Sequence, residues 1–233
     1  MIDLLNMDCM DYMAGLPAKA FDLAIVDPPY GIGAGKFQGF ESVKRKNGTT
    51  GNTSRRLHTQ KDWDESIPGD DYFAELMRVS VAQIIWGGNY FDLPPTRGVI
   101  CWDKLQAFPN FSAWEMAWTS TDMPAKIFRM DNKGFMNPDG PSIHPTQKPV
   151  ALYEWLLTNY AKPGQRILDT HLGSGSSAIA AHNLGFDFVG TELDADYYAG
   201  AVKRLDAHKA QASLFLPEDF DHQPRDCQQV GLL

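Results

Sequence analysis

Residues 167–178 read Ile167-Leu168-Asp169-Thr170-His171-Leu172-Gly173-Ser174-Gly175-Ser176-Ser177-Ala178. A short apolar run ends in an acid, a glycine-rich turn follows, and small helix-forming residues come next. Gly173 and Gly175 permit a tight turn and let the backbone approach a ligand without a Cβ in between. The helix that follows would aim its free N–H groups at that ligand. Glu192 closes the next apolar run, 19 residues after Gly173, where an acid can accept hydrogen bonds from both hydroxyls of a ribose. This layout binds a nucleoside cofactor, and nicotinamide dinucleotides and S-adenosylmethionine use it equally well.

The same alternation extends outward. Helices are expected at 149–160, 174–184 and 195–210, and strands at 166–169 and 186–192. Upstream, 2–6 reads as a strand and 7–16 as a helix entered at Asp8. Residues 21–27 (FDLAIVD) form a buried strand ending in an acid, and 70–79 a helix. Strands follow at 82–86, 99–102 and 113–119, with a short one at 126–130. Strands alternating with helices point to a doubly wound, Rossmann-like α/β domain. Residues 31–66 are rich in Gly, Ser, Thr, Asn and Lys/Arg and are expected to be a long loop.

Composition narrows the classes. The 233 residues are 43% hydrophobic and 21% charged, enough for one α/β domain with a modest insertion. No run approaches membrane-spanning length and no signal-peptide pattern opens the chain, so a cytoplasmic setting is expected. Cys9, Cys101 and Cys227 are far apart, and no His-x-x-x-His or Cys-x-x-Cys spacing occurs, so no metal is expected. The net charge of −8 is unevenly spread. Between positions 36 and 61, Lys36, Lys44, Arg45, Lys46, Arg55, Arg56 and Lys61 face one anion, Glu41, giving that window +6 and the remainder −14. A basic segment on an acidic body can supply local phosphate contacts to DNA, although a solvated loop would have the same composition.

Asp27-Pro28-Pro29-Tyr30 stands at the end of the 21–27 strand. The Asp27 carboxylate and the Pro28 carbonyl can accept hydrogen bonds from both N–H groups of an exocyclic amine. That favours a more tetrahedral nitrogen with its lone pair exposed. Proline offers its carbonyl without a competing donor, and the Pro-Pro pair stiffens the turn. Tyr30 can stack on a base. With a donor that already carries a good leaving group, such a site works by positioning and electrostatics.

On these residues the chain resembles the beta group of DNA amino-methyltransferases, in which this tetrapeptide precedes the cofactor glycine motif. Asn6-Met7-Asp8-Cys9, Ile84-Ile85-Trp86-Gly87-Gly88-Asn89-Tyr90, Trp102-Asp103-Lys104 and His144-Pro145-Thr146-Gln147-Lys148-Pro149 also stand in the family's order, and the likeness spans residues 1 to about 205. The resemblance implies a seven-stranded, mostly parallel sheet with one antiparallel strand, permuted so that the cofactor half comes last. It implies S-adenosylmethionine as cofactor and adenine N6 of a flipped base in duplex DNA as acceptor. The cofactor would be held by Asp8, Cys9, Asp27, Thr146, Lys148, Asp169, His171, Gly173, Ser174, Gly175, Glu192 and Leu193, with Thr146 and Lys148 near its carboxylate. Where the family commonly has Asp-Pro-Phe, this chain has Asp169-Thr170-His171, and His171 is expected to stand in for the phenyl ring.

The expected organisation is one catalytic domain, 1–212, with a tail, 213–233. Residues 121–143 are a short target-recognition element, and a bacterial or phage role in restriction protection or epigenetic marking follows. Homodimerisation is open, and Gln211-Ala212-Ser213-Leu214-Phe215 is similar to peptides that dock on the bacterial sliding clamp. Rival functions are cytosine-N4 methylation, a nicotinamide-dependent oxidoreductase, and an inactive DNA-binding protein.

Overall fold

The computed structural model describes residues 1–36, 40–44, 50–56, 59–105, 112–130 and 142–211, with backbone alone for 40–44 and 50–56. In chain order the elements are β1 (Ile2–Asn6), α1 (Cys9–Ala14), β2 (Phe21–Val26), β3 (Phe40–Lys44), β4 (Thr50–Arg56), α2 (Asp70–Val79), β5 (Ser80–Trp86), β6 (Val99–Asp103), β7 (Trp114–Thr119), β8 (Lys126–Arg129), α3 (Val150–Tyr160), β9 (Arg166–Asp169), α4 (Ser176–Asn183), β10 (Asp187–Glu192) and α5 (Ala195–Ala210).

Eight strands form one sheet in the order β1-β10-β9-β2-β5-β7-β6-β8. Only β7 runs against its neighbours in this sheet, β5 and β6; every other pairing is parallel. The mostly parallel sheet with one reversed strand is therefore as expected, with one strand more than the seven implied. The extra edge strand is β8, whose Lys126–Arg129 pairs in register with Ile100–Asp103 of β6.

The sheet is buried on both faces, so its central strands are apolar throughout rather than alternating. Leu23 and Ile25 of β2 face a core shared with Leu152, Leu156 and Ile179 of α3 and α4. Phe21, Ala24 and Val26 of the same strand face Met13 of α1 and Tyr72, Leu76 and Val79 of α2. Helices that cover opposite faces require the connections to reverse near the middle of the sheet. In such sheets the carboxyl ends of the strands frame a crevice there. Asp27, Gly87, Thr170 and Leu193 each follow directly on the carboxyl end of a strand, β2, β5, β9 and β10 respectively.

The long loop expected over 31–66 needs correction. A 3-10 turn spans Ala34–Lys36, and β3 and β4 pair antiparallel, with Glu41 opposite Arg55 and Val43 opposite Thr53. Between the two strands the sequence carries Asn47-Gly48, the dipeptide most suited to a tight hairpin.

Candidate active site

A cavity of about 550 Å³ opens at the carboxyl ends of the central strands. That volume suits a drug-sized or nucleoside-sized ligand. One end is walled by Asp8, Glu192 and Leu193, the other by Asp27, Pro28, Pro29 and Tyr30, and His171, Gly173 and Ser174 lie between them. The two sequence motifs, some 140 residues apart, therefore share one chamber.

At the nucleoside end, Asp8 caps α1 by accepting from the N–H groups of Met10 and Asp11. Glu192 accepts from the N–H of Gly173 (2.8 Å) through one oxygen and from the N–H of Asp194 (2.9 Å) through the other. Burial raises its pKa above the ordinary carboxylate value, partly offset by those N–H donors. A fixed carboxylate with spare lone pairs is what a ribose diol needs. Gly173 sits at φ +52° and Gly175 at φ +75°, a region that L side chains rarely occupy. Gly175 does not line the cavity; a Cβ there would meet Ala201 of α5 at 3.1 Å, so its role is helix packing. Asp169 likewise lies beneath the cavity. It is buried, accepts from Ser177 Oγ (2.6 Å) and the His171 N–H (3.0 Å), and burial pushes its pKa up to about 7. Both were expected to touch cofactor; neither is on the cavity lining, and both shape the glycine turn that is.

His171 does line the cavity. Its ring packs edge-on against Tyr72 at 5.3 Å, and its Nδ1 lies 2.9 Å from Thr170 Oγ1. Burial drives its pKa down to about 4, against the pull of Asp8, so the imidazole is neutral near pH 7. A neutral, flat, half-buried ring can pack beside a cationic donor without repelling it.

At the other end, Asp27 is held from two sides. Tyr30 donates its hydroxyl to one carboxylate oxygen, and Lys148 Nζ pairs with the other. Lys148 also reaches Glu115 Oε2 at 3.2 Å, and Glu115 pairs in turn with Lys104. Four charges thus form a neutral array, three of them, Asp27, Glu115 and Lys148, on the cavity lining. Burial would drive the Lys148 ammonium down, yet Asp27 and Glu115 hold it above the ordinary lysine range. Burial would raise Glu115, yet Lys148 and Lys104 hold it below the ordinary carboxylate range. Lys148 therefore sits on Asp27 and Glu115 at the cavity lining. Thr146 keeps its place on the cavity wall, with Oγ1 3.1 Å from His144 Nδ1.

The Tyr30 ring is stacked on Tyr90 at 4.9 Å and 12°, and it lies against Gly87 so closely that a Cβ there would fall 2.2 Å from its Cε1. The Gly87-Gly88 turn after β5 is thus the floor on which Tyr30 rests. Asp64, only 1% exposed, accepts from the N–H groups of Tyr30 (2.6 Å), Gly31 (2.9 Å) and Ala34 (2.7 Å) and fixes the chain leaving the tetrapeptide. Asp64 and Glu115 escape sequence reasoning. The one usable signal was the acid inside the otherwise aromatic and apolar stretch Trp114-Glu115-Met116-Ala117-Trp118; Asp64 stands among other charged residues and carried none.

Of the seven cations expected on DNA, Lys36 is exposed and pairs with Glu65 at 2.9 Å. Lys61 is turned inward onto Asp194 (2.5 Å) and Asp196 (2.9 Å), so its charge serves the protein's own carboxylates. Arg45 and Lys46, and the side chains of Lys44, Arg55 and Arg56, lie outside the described residues, as do 131–141 of the expected recognition element and the 213–233 tail. Among the described residues no group of three or more His, Cys, Asp or Glu could hold a metal, and no helix is long and apolar enough to cross a membrane.

The family model described as DNA methylase matches residues 89–203 of this chain. The type II methyltransferase M2.DpnII of Streptococcus pneumoniae is 42% identical over 145 residues, 62% of this chain and 49% of that protein. The chain thus spans about half the length of that relative. The putative methylase YubD of Escherichia coli K12 is 25% identical over 219 residues, covering 86% of this chain and 88% of that one. Among solved structures, the M1.HpyAVI complex with SAM superposes with a TM-score of 0.56 at 20% identity, covering 88% of this chain and all of the other, which supports the fold.

Proposed function

We propose that this protein transfers a methyl group from S-adenosylmethionine to the N6 amino group of adenine in duplex DNA. The observation that carries the proposal is the placement of Asp27 and Pro28 in the same cavity as Glu192, with Tyr30 beside them. The residues fit the cofactor: Glu192 would take the ribose hydroxyls, Asp8 and Leu193 would flank the adenosine, and the neutral His171 would pack beside the methionine end. When bound, the cofactor supplies an activated methyl on sulfur.

The rest is done by the chain. An adenine inside duplex DNA is paired and stacked, so it must be flipped out, at a cost of a few kcal/mol that pocket contacts offset. Tyr30 supplies a stacking face, worth about 1–3 kcal/mol. Asp27 and the Pro28 carbonyl accept the two N–H groups and aim the nitrogen lone pair along the cavity. Because both Asp27 oxygens already accept charge-assisted or hydroxyl donors, the carboxylate acts as an oriented acceptor. The proton lost from nitrogen after transfer can pass to Asp27, whose contacts with Tyr30 and Lys148 then rearrange.

Adenine is favoured over cytosine N4 by Asp27 itself, since the cytosine enzymes of the resembling group more often carry serine there. M2.DpnII and YubD, a type II methyltransferase and a putative methylase, support a role in DNA modification, and with it restriction protection. The basic segment 36–61, less Lys61, is assigned to phosphate contact, and a bacterial or phage-infected cytoplasm is the setting. The test is incubation with methyl-labelled S-adenosylmethionine and unmethylated DNA, followed by nucleoside separation. Label in N6-methyl-2′-deoxyadenosine is expected; label in N4-methyl-2′-deoxycytidine moves the assignment to cytosine, and no transfer removes it.

A further inference from the structure

Residues 61–64 make three side-chain attachments within four positions. Lys61 pairs with Asp194 and Asp196 at the start of α5, and its Nζ lies 4.5 Å above the ring of Tyr197. Trp63 packs against His144 at 5.0 Å, and His144 packs in turn on Tyr197 at 4.3 Å. Asp64 collects the N–H groups of Tyr30, Gly31 and Ala34, while its own carbonyl accepts from Gly33. The backbone of Lys61 adds a pair of contacts to the same turn: its N–H donates to the Gly35 carbonyl, and a Cβ on Gly35 would fall 2.3 Å from the Lys61 oxygen.

The consequence is mechanical. The turn after the catalytic tetrapeptide carries no apolar anchor of its own: Gly31 and Gly33 are both at positive φ, and Ile32 is 58% exposed. What fixes the Tyr30 backbone is Asp64, through the Tyr30 N–H, and Asp64 belongs to a segment fastened on its other side to the carboxylates next to Glu192. A buried carboxylate with three backbone donors is costly to leave half-satisfied, so the turn and the segment shift together.

We propose that Asp64 is a positioning residue for the catalytic turn, and that Lys61 makes the geometry of this turn depend on the cofactor-side helix α5. The proposal deepens the methyl-transfer assignment and rests on it only for its catalytic consequence. The segment reads as a strap between the two halves of the site: Asp194 lines the cavity beside Glu192, so a ligand that orders this end tightens Lys61, and through Asp64 it holds Tyr30 ready for the base.

The test is hydrogen–deuterium exchange on the full chain, which reads these bonds whether or not methyl is transferred. In Lys61→Met, a change at a partly exposed side chain, amide exchange at Tyr30, Gly31 and Ala34 is expected to quicken about tenfold or more while β2 stays unchanged. In Asp64→Asn, the retained carbonyl oxygen can serve Tyr30 and Gly31, so Ala34 is expected to quicken first and most. On unmethylated DNA, both variants are expected to lose about tenfold or more in kcat, with S-adenosylmethionine Kd changed less than about threefold. The double variant should lose less than the product of the two losses, because both act through one element. Unchanged exchange at 30–34 in Lys61→Met, or a loss confined to cofactor Kd, overturns the proposal. A parent protein that protects these amides but transfers no methyl overturns the methyl-transfer assignment instead.

Discussion

Replacing Lys148 with methionine separates two accounts of the most buried cation in the site. Its side chain is 3% exposed and contacts Asp27 and Glu115, whose side chains are 18% and 24% exposed. The array of Asp27, Glu115, Lys104 and Lys148 is neutral; without Lys148 it carries a net negative charge, with Lys104 alone left to balance two carboxylates. Removing one partner from a buried ion pair costs about 3–5 kcal/mol. For a chain of this size about 1 kcal/mol corresponds to roughly 2–4 °C, so a fall of roughly 10 °C in Tm is expected. Asp27 loses its orientation at the same time, and a misplacement of this kind costs about a hundredfold in kcat. Thermal melting, calorimetric titration with S-adenosylmethionine and methyl incorporation supply the three readouts. The expected pattern is a low Tm, a low kcat and a cofactor Kd within about threefold of the parent. A tenfold or greater weakening of cofactor binding at unchanged Tm would refute the reasoning, because Lys148 would then hold the cofactor carboxylate.

Four further outcomes follow from other parts of the protein. Gly87→Ala is expected to cost about 1–3 kcal/mol and most of kcat, since the residue sits at φ +70° and its Cβ would strike the Tyr30 ring; melting and steady-state kinetics check it, and Tyr30→Ala should partly relieve the stability loss. Burial lowers His171 to about 4, so the folded state binds fewer protons than the unfolded one between that value and about 6.5, and stability is lost as pH falls through this window. His171→Phe should abolish that component of the pH–stability curve. Asp169 has the opposite sign: its raised pKa, about 7, makes the ionised form costly above that pH, so Asp169→Asn should gain stability relative to the parent at pH 8 compared with pH 5. Neutralising Arg55 and Arg56 together should weaken DNA binding and flatten its salt dependence by about two phosphate contacts, leaving cofactor binding intact; an unchanged salt slope contradicts it.

The parts of this site that were legible in the sequence are those built from neighbours along the chain. Asp27-Pro28-Pro29-Tyr30 had to end a buried strand because FDLAIV is too apolar to face water and Pro28-Pro29 cannot continue the ladder. The turn around Gly173 and the acid at Glu192 followed from spacing alone. Asp169 and Gly175 were legible as members of that turn, yet not as parts beneath it, since local pattern says nothing about which residue faces the ligand. Contacts between distant segments were not legible. Lys148 meets Asp27 across 121 positions, and Asp64 meets Tyr30 across 34, through a segment with no periodicity. Lys61 shows the same limit: its charge counts toward the basic window, while only the fold reveals the two aspartates that absorb it. The pairing of β3 with β4 was obscured by composition, because the glycine, serine and threonine content of the segment outweighed its β-branched residues.

The central claim is that the carboxylate of residue 27 and the carbonyl after it hold an extruded adenine amine in line with the methyl donor. Nucleoside mass spectrometry on DNA from cells producing the parent or Asp27→Ala, alongside calorimetry of both proteins with S-adenosylmethionine, tests it most directly. The account predicts N6-methyladenine from the parent, none from the variant, and retained cofactor binding in both. N6-methyladenine at the parental level in the Asp27→Ala cells would contradict it.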